Sequence, residues 1–213
     1  MPVLAQSTTF HAGPFAVTVP SDSSPDGALV RSAQSGDRSA FGLLYARYAR
    51  MVHGILLSRV PLADVDDLVQ DVFLQAMPRL HTLRDVSRFP RWLAAIARNR
   101  AIDFHRRTKS DVELDDSSVA EADPPPPTAR RAPQASAEAR VALEAILTLP
   151  ATYRETLILR LVEGMTGPEI AARTGLTHGS VRVNLHRGMQ QLREILGQRA
   201  APPAAVTYER TLE

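Results

Sequence analysis

The sequence predicts an all-α protein built as two small helical domains joined by a flexible linker. Apolar residues recur at helical spacing through most of the chain, and no strand-like alternation of any length appears. One acidic, proline-bearing stretch interrupts the pattern near the middle. A length of 213 residues accommodates two such domains, and no internal repeat points to a solenoid.

Composition narrows the class further. The hydrophobic share of 44% is ordinary for a soluble protein, and aromatic residues are scarce at 5%, which suits small helical bundles. The formal charge is only +2, yet Lys109 is the only lysine, so nearly all the positive charge is guanidinium, which forks onto phosphate and guanine better than an ammonium does. With no cysteine there is neither a disulfide framework nor a thiolate metal site, as expected in a reducing cytoplasm. The start of the chain lacks a basic segment followed by a long apolar core, and no run is long enough to span a bilayer. A cytoplasmic protein without membrane insertion is the expectation.

Taken in order, residues 1–24 mix Pro, Ser, Thr and Gly with no sustained period and read as a flexible arm. A first domain spans 25–109. A short helix through Leu29, Val30 and Ala33 stops at Gly36, and Asp37 can cap a longer one carrying Phe41, Leu44, Tyr45, Tyr48, Val52, Ile55 and Leu56. Pro61 ends that element. A third helix runs from Asp64 to about Arg79 and a fourth from about Ser87 to Arg107, so that four helices can enclose one core. Residues 110–136 form the linker, acidic from Asp111 to Asp123 and stiffened by Pro124 to Pro127. The second domain, 137–197, opens with Ala142, Leu143, Ile146, Leu147 and Leu149. Pro150 then starts a helix with Tyr153, Leu157, Ile158 and Leu161. Residues 198–213 read as a flexible tail.

The stretch from Gly164 to Leu196 has the format of a helix-turn-helix DNA reader. Thr166 can cap the first helix with Glu169 completing a capping box, and Gly175 permits the turn. The second helix, from Thr177 or His178, buries Val181, Leu185, Met189 and Leu192. Ser180, Arg182, Asn184, His186 and Arg187 are left on or beside its outer face, suited to phosphates and base edges. A plain helical hairpin with solvated arginines satisfies the same pattern.

Two further segments bear on function. In DVDDLVQDVFLQA, Val65, Leu68, Val69, Val72, Phe73 and Ala76 share one face while Asp66, Asp67, Gln70 and Asp71 point away. Taken alone, that is a solvated acidic face, and Asp64, Asp67 and Asp71 also raise a Mg²⁺ reading. Magnesium chemistry on a diphosphate normally needs a second, facing acidic cluster, which the helices do not supply, so neither metal nor cofactor is expected. In FPRWLAAIARNRAIDFHRR, the stripe Phe89, Trp92, Leu93, Ile96 and Ala97 lies beside Arg91, Arg98, Arg100, Arg106 and Arg107. The aromatics fall on the buried period, Asn99 and the arginines are candidates for nucleic-acid contact, and Asp103 is placed to pair with Arg100, Arg106 or Arg107.

Together these segments, followed by LPATYRETLILRLVEGMTGPEIAARTGLTHGSVRVNLHRGMQQLRE, resemble regions 2 and 4 of a bacterial RNA polymerase sigma factor. The group is the extracytoplasmic-function (ECF) branch of the sigma-70 family, and the resemblance runs from about Asp26 to Leu196. It implies a non-enzymatic transcription initiation factor. Core RNA polymerase, through the β′ clamp helices and the β subunit, is the implied partner of Asp66, Asp67, Gln70 and Asp71. Thr82, Leu83, Arg84, Arg98, Asn99, Arg100 and Arg106 map to −10 element recognition and strand opening, and His178, Ser180, Arg182, Asn184, His186 and Arg187 to the −35 element. Asn184 and Met189 depart from the commonest family pattern, and Asn184 would then read adenine. The linker corresponds to a segment threaded toward the RNA exit channel, and an anti-sigma factor is an implied partner. A stand-alone helix-turn-helix regulator is the rival reading.

Overall fold

The computed structural model describes the backbone of residues 26–115 and 137–200. The expected arm, most of the linker and the tail lie outside these residues. Among the described residues the regular structure is helical throughout, with eight α-helices and three short 3₁₀ turns.

Helix α1 (Asp26–Gln34) ends at Gly36, whose φ of +99° is open to glycine at little cost. Asp37 then caps α2 (Arg38–Leu57), its carboxylate accepting from the Ser39 and Ala40 amides at 2.8 and 3.1 Å. Helix α2 is the hub of the N-terminal half. Leu44, Tyr48, Met51, Val52, Ile55 and Leu56 are fully buried, and their spacing makes a stripe wide enough to meet α1, α3 and α4 at once. The Tyr48 hydroxyl donates to Asp26 at 2.6 Å, and burial pushes that phenol above its ordinary range.

Helix α3 (Val65–Arg79) buries Val65, Leu68, Val69, Val72, Phe73 and Ala76, the face expected from its period. The connection onward is pinned from α1: the Gln34 amide donates to the carbonyls of Leu80 and Leu83 at 3.0 and 2.8 Å. Asp85 accepts from the Ser87 amide, and α4 (Phe89–Asp115) begins at Phe89. Ala94, Ala97 and Ala101 on its inner face let α4 lie close to its neighbours. The expected helix end near Arg107 is not where the chain stops coiling. No glycine or proline occurs between Ala101 and Asp123, so nothing breaks the ladder and α4 continues to Asp115.

The C-terminal half comprises α5 (Ala137–Leu147), α6 (Ala151–Leu161), α7 (Gly167–Thr174) and α8 (His178–Ala200). Pro150 precedes α6, as expected. The capping box of α7 is complete: the Thr166 amide donates to Glu169 at 2.8 Å, and the Glu169 amide donates back to the Thr166 hydroxyl. These hydrogen bonds hold the Glu169 carboxyl below its usual range. Gly175 turns the chain at φ +86°.

One stripe differs from the expected one. On α8 the buried positions are Val181, Asn184, Gly188 and Leu192, while Leu185 and Met189 are only half-buried. The cause is a close crossing of α6 and α8. A Cβ added to Gly188 would lie 3.0 Å from Leu157 Cδ1 and 3.2 Å from Tyr153 Cβ. The glycine brings the axes together there and draws Asn184, one turn earlier, inside. The two halves also pack on each other, α6 against α2 and α7 against α4, so the buried apolar residues form one continuous cluster.

Candidate nucleic-acid and polymerase interface

Three candidate surfaces follow from this scaffold. On α3, burial of the apolar stripe turns Asp66, Asp67 and Gln70 to solvent, at the acid-tolerant N-terminal end of the helix. Asp71 is different. It is half-buried and accepts from Arg100 of α4, whose Nε lies at 3.2 Å and whose side chain is only 11% exposed. Arg100 therefore pairs across to α3 rather than with Asp103 on its own helix. That pairing also withdraws one carboxylate from the trio weighed for Mg²⁺. Among the described residues no group of three or more metal-ligating side chains converges.

The second surface runs from the turn after α3 onto α4. Thr82, whose hydroxyl donates to the Arg79 carbonyl at 2.7 Å, is exposed, as are Arg84, Asn99 and Arg106. Leu83 belongs to the core and anchors the turn from inside, because its carbonyl is held by Gln34 while its side chain packs inward. Arg98 points toward the C-terminal half. Its Nη2 and Nε donate to the two oxygens of Glu155 at 2.6 and 3.2 Å.

The third surface is the outer face of α8. Thr177 caps the helix, accepting from the Ser180 amide at 3.0 Å, and His178, Ser180, Arg182, His186 and Arg187 are all exposed. Asn184 is not among them. It is 7% exposed, and its amide nitrogen has no partner. The expected outer-face placement of Asn184 fails because the close approach at Gly188 rotates this part of α8 inward.

Two acids that the sequence pattern does not flag as functional sit between the halves. Glu155 of α6, 6% exposed, accepts from Arg98 and from Arg59 at the end of α2, whose Nη2 lies at 2.7 Å. Burial pushes its carboxyl up, but hydrogen bonds and charge from Arg98 and then Arg59 outweigh that and hold it below the usual carboxylate range. Glu163, also 6% exposed, meets His53 Nδ1 at 2.6 Å and Arg50 Nε at 3.5 Å. That hydrogen bond raises the His53 pKa above its ordinary 6.5. Burial opposes the rise, and the charges of Glu163 and Asp66 add to it against Arg50. The signal available in the sequence was the position of Glu155 three residues before Ile158, on the stripe that α6 buries.

The geometry has parallels among known proteins. Sigma-70 region 2 matches residues 44–110, and Sigma-70, region 4 matches residues 139–192. The RNA polymerase sigma factor CarQ of Myxococcus xanthus is 33% identical over 166 residues, covering 78% of this chain and 94% of CarQ. The chain is an ECF-type sigma factor of the sigma-70 family.

The ECF RNA polymerase sigma-E factor of Escherichia coli strain K12 is 31% identical to this sigma factor, covering 78% of this chain and 92% of the relative. A probable RNA polymerase sigma factor, RfaY, of Xanthomonas campestris is 35% identical, but the match spans only 43% of that longer protein. Among solved structures, CnrH in complex with the cytosolic domain of CnrY superposes with a TM-score of 0.55 at 30% identity. The match covers 81% of this chain and 97% of that one. The sigma factor RpoE of Bartonella quintana, crystallised with the anti-sigma factor NepR, shares the fold at a TM-score of 0.52 and 23% identity, over 74% of this chain and 96% of that one. Among the described residues of this sigma factor, no helix is long and apolar enough to cross a membrane.

Proposed function

We propose that this sigma factor binds core RNA polymerase through the α3 face, directs it to promoters by reading −10 and −35 elements with its two halves, and promotes local opening of the duplex. It makes and breaks no covalent bond. Asp66, Asp67 and Gln70 carry the polymerase contact, with Asp71 shaping that face through Arg100. Thr82, Arg84, Asn99, Arg98 and Arg106 face the −10 element. Capture of an unstacked base there costs a few kcal/mol, roughly, which polymerase contacts and the arginines offset. His178, Ser180, Arg182, His186 and Arg187 enter the major groove at −35. Core polymerase, promoter DNA and an anti-sigma factor are the partners of this reading.

The single observation that carries it is the pairing, in one chain, of an exposed acidic helix face with an exposed, capped helix-turn-helix face, each within its own matched sigma region. The test is co-purification with core polymerase. The wild type forms a stable holoenzyme, and the Asp66→Lys, Asp67→Lys double variant loses it while melting at an unchanged temperature. Failure of the wild type to associate would overturn the reading.

A further inference from the structure

We infer that Val183 reads the methyl group of a thymine in the −35 element, and so sets a base preference at the centre of the reading face of α8. This rests on the promoter-reading function proposed above and deepens it at the same helix.

A single exposed valine is ordinary on a protein surface, so its setting is what matters. Val183 is 46% exposed and stands on the side of α8 away from the buried Val181, Asn184, Gly188 and Leu192. Its neighbours three and four residues away are Gly179, Ser180, His186 and Arg187, and all four are exposed. Three of these are the residues proposed to enter the groove at −35, which puts Val183 in their midst. Asn184 is inside and Leu185 is half-buried, so Val183 is the only exposed side chain between Arg182 and His186. Helix formation does not account for it, because β-branching gives valine a lower helix propensity than arginine or glutamine.

The chemistry of the groove selects the base. Adenine, guanine and cytosine turn only donors or acceptors toward the protein in the major groove, whereas thymine adds a methyl group to its one acceptor. A valine pressed on a hydrogen-bonding edge strips water from it and returns no partner; pressed on a methyl, it takes two apolar surfaces out of water. The same side chain thus favours thymine and disfavours the other three bases. Arg182 and Arg187 on either side can hold phosphate or guanine, which brings the helix near enough for a short side chain to touch the base. The turn before Val183 is bare as well. Within 4 Å, a Cβ added to Gly179 would meet only Thr177 Oγ1, at 3.9 Å, so no side chain at that position holds the helix off the groove floor.

The test removes one methyl at a time. On a promoter that depends on this sigma factor, each thymine of the −35 block, on either strand, is replaced in turn by deoxyuridine, which lacks only the 5-methyl group, and holoenzyme binding is titrated. One replacement should weaken binding by the wild type roughly four-fold, the worth of one buried methyl. Val183→Ser should bind the thymine and deoxyuridine promoters equally at that position, with its melting temperature and its preference in the −10 block unchanged. A merely structural role for Val183 would alter affinity for both promoters alike and leave the four-fold difference in place. The inference is overturned if no single replacement affects the wild type, or if Val183→Ser keeps the same sensitivity. A wild-type holoenzyme that binds no promoter at all would instead overturn the promoter-reading function, and this inference with it.

Discussion

The two halves of this sigma factor bury different things. In the N-terminal half, α2 supplies a broad apolar stripe to three neighbours, and among the described residues only Ser58 and the Tyr48 hydroxyl bring a polar side-chain group fully inside. In the C-terminal half, Glu155, Thr156, Glu163, Thr174 and Asn184 are all buried, and Leu159 completes its burial against Gly54 of the other half. The difference teaches that the N-terminal half is held chiefly by hydrophobic packing, whereas the C-terminal half spends part of its interior on groups that need partners. Groups of that kind make an association conditional more readily than they make it strong.

Truncation in each half is the largest way to break this comparison. Leu56→Ala in the hub should cost about 3 kcal/mol and lower the melting of the whole chain, since α1, α3 and α4 all lean on α2. Leu157→Ala should cost a similar amount, but calorimetry should show it as an early transition of the C-terminal half alone. A single unsplit transition in Leu157→Ala would mean that the halves are one cooperative unit.

Glu155→Ala comes next. It leaves Arg59 and Arg98, both of the N-terminal half, without the acid of the other half that they share. Both guanidiniums are about a quarter exposed, so the loss should be about 2 kcal/mol rather than the larger cost of a fully buried pair. The N-terminal transition should stay where it is. On DNA, Arg182→Ala in the holoenzyme should weaken promoter binding by about 1 to 3 kcal/mol, whereas Asn184→Ala should leave it unchanged in a mobility-shift titration. Equal losses in both would place Asn184 on the reading face after all.

The smallest effect is that of pH on the His53–Glu163 contact between the halves. His53 has a raised pKa in the folded chain, so its contribution is complete below about pH 6.5 and disappears as pH rises through the raised value. Glu163 and Asp66 favour the proton, and Arg50 opposes it. The contact between the halves should therefore weaken slightly at alkaline pH, read as a lower melting temperature, and His53→Gln should flatten that dependence.

Much of this was legible in the sequence because it is local. Asp37, Thr166 with Glu169, Pro150 and Gly175 each fix a helix boundary through bonds or dihedrals within four residues, and the periods of α3 and α4 name their buried faces. What was not legible depends on partners far along the chain. Asn184 is inside because Gly188 meets Leu157, Arg100 is engaged because Asp71 stands opposite, and Arg98 is engaged by an acid 57 residues away. Helical periodicity assigns a face to each residue, but it does not say which distant charge will cover that face.

The most direct measurement of promoter selection by two separate halves is transcription from a fragmented genome by purified core polymerase with and without this sigma factor, followed by sequencing of the transcript starts. The starts that depend on the chain should align on two conserved blocks, near −10 and near −35. Arg182→Ala should erase preference in the upstream block and spare the downstream one. Starts that share only one block, or starts that are unaffected by adding the chain, would contradict it.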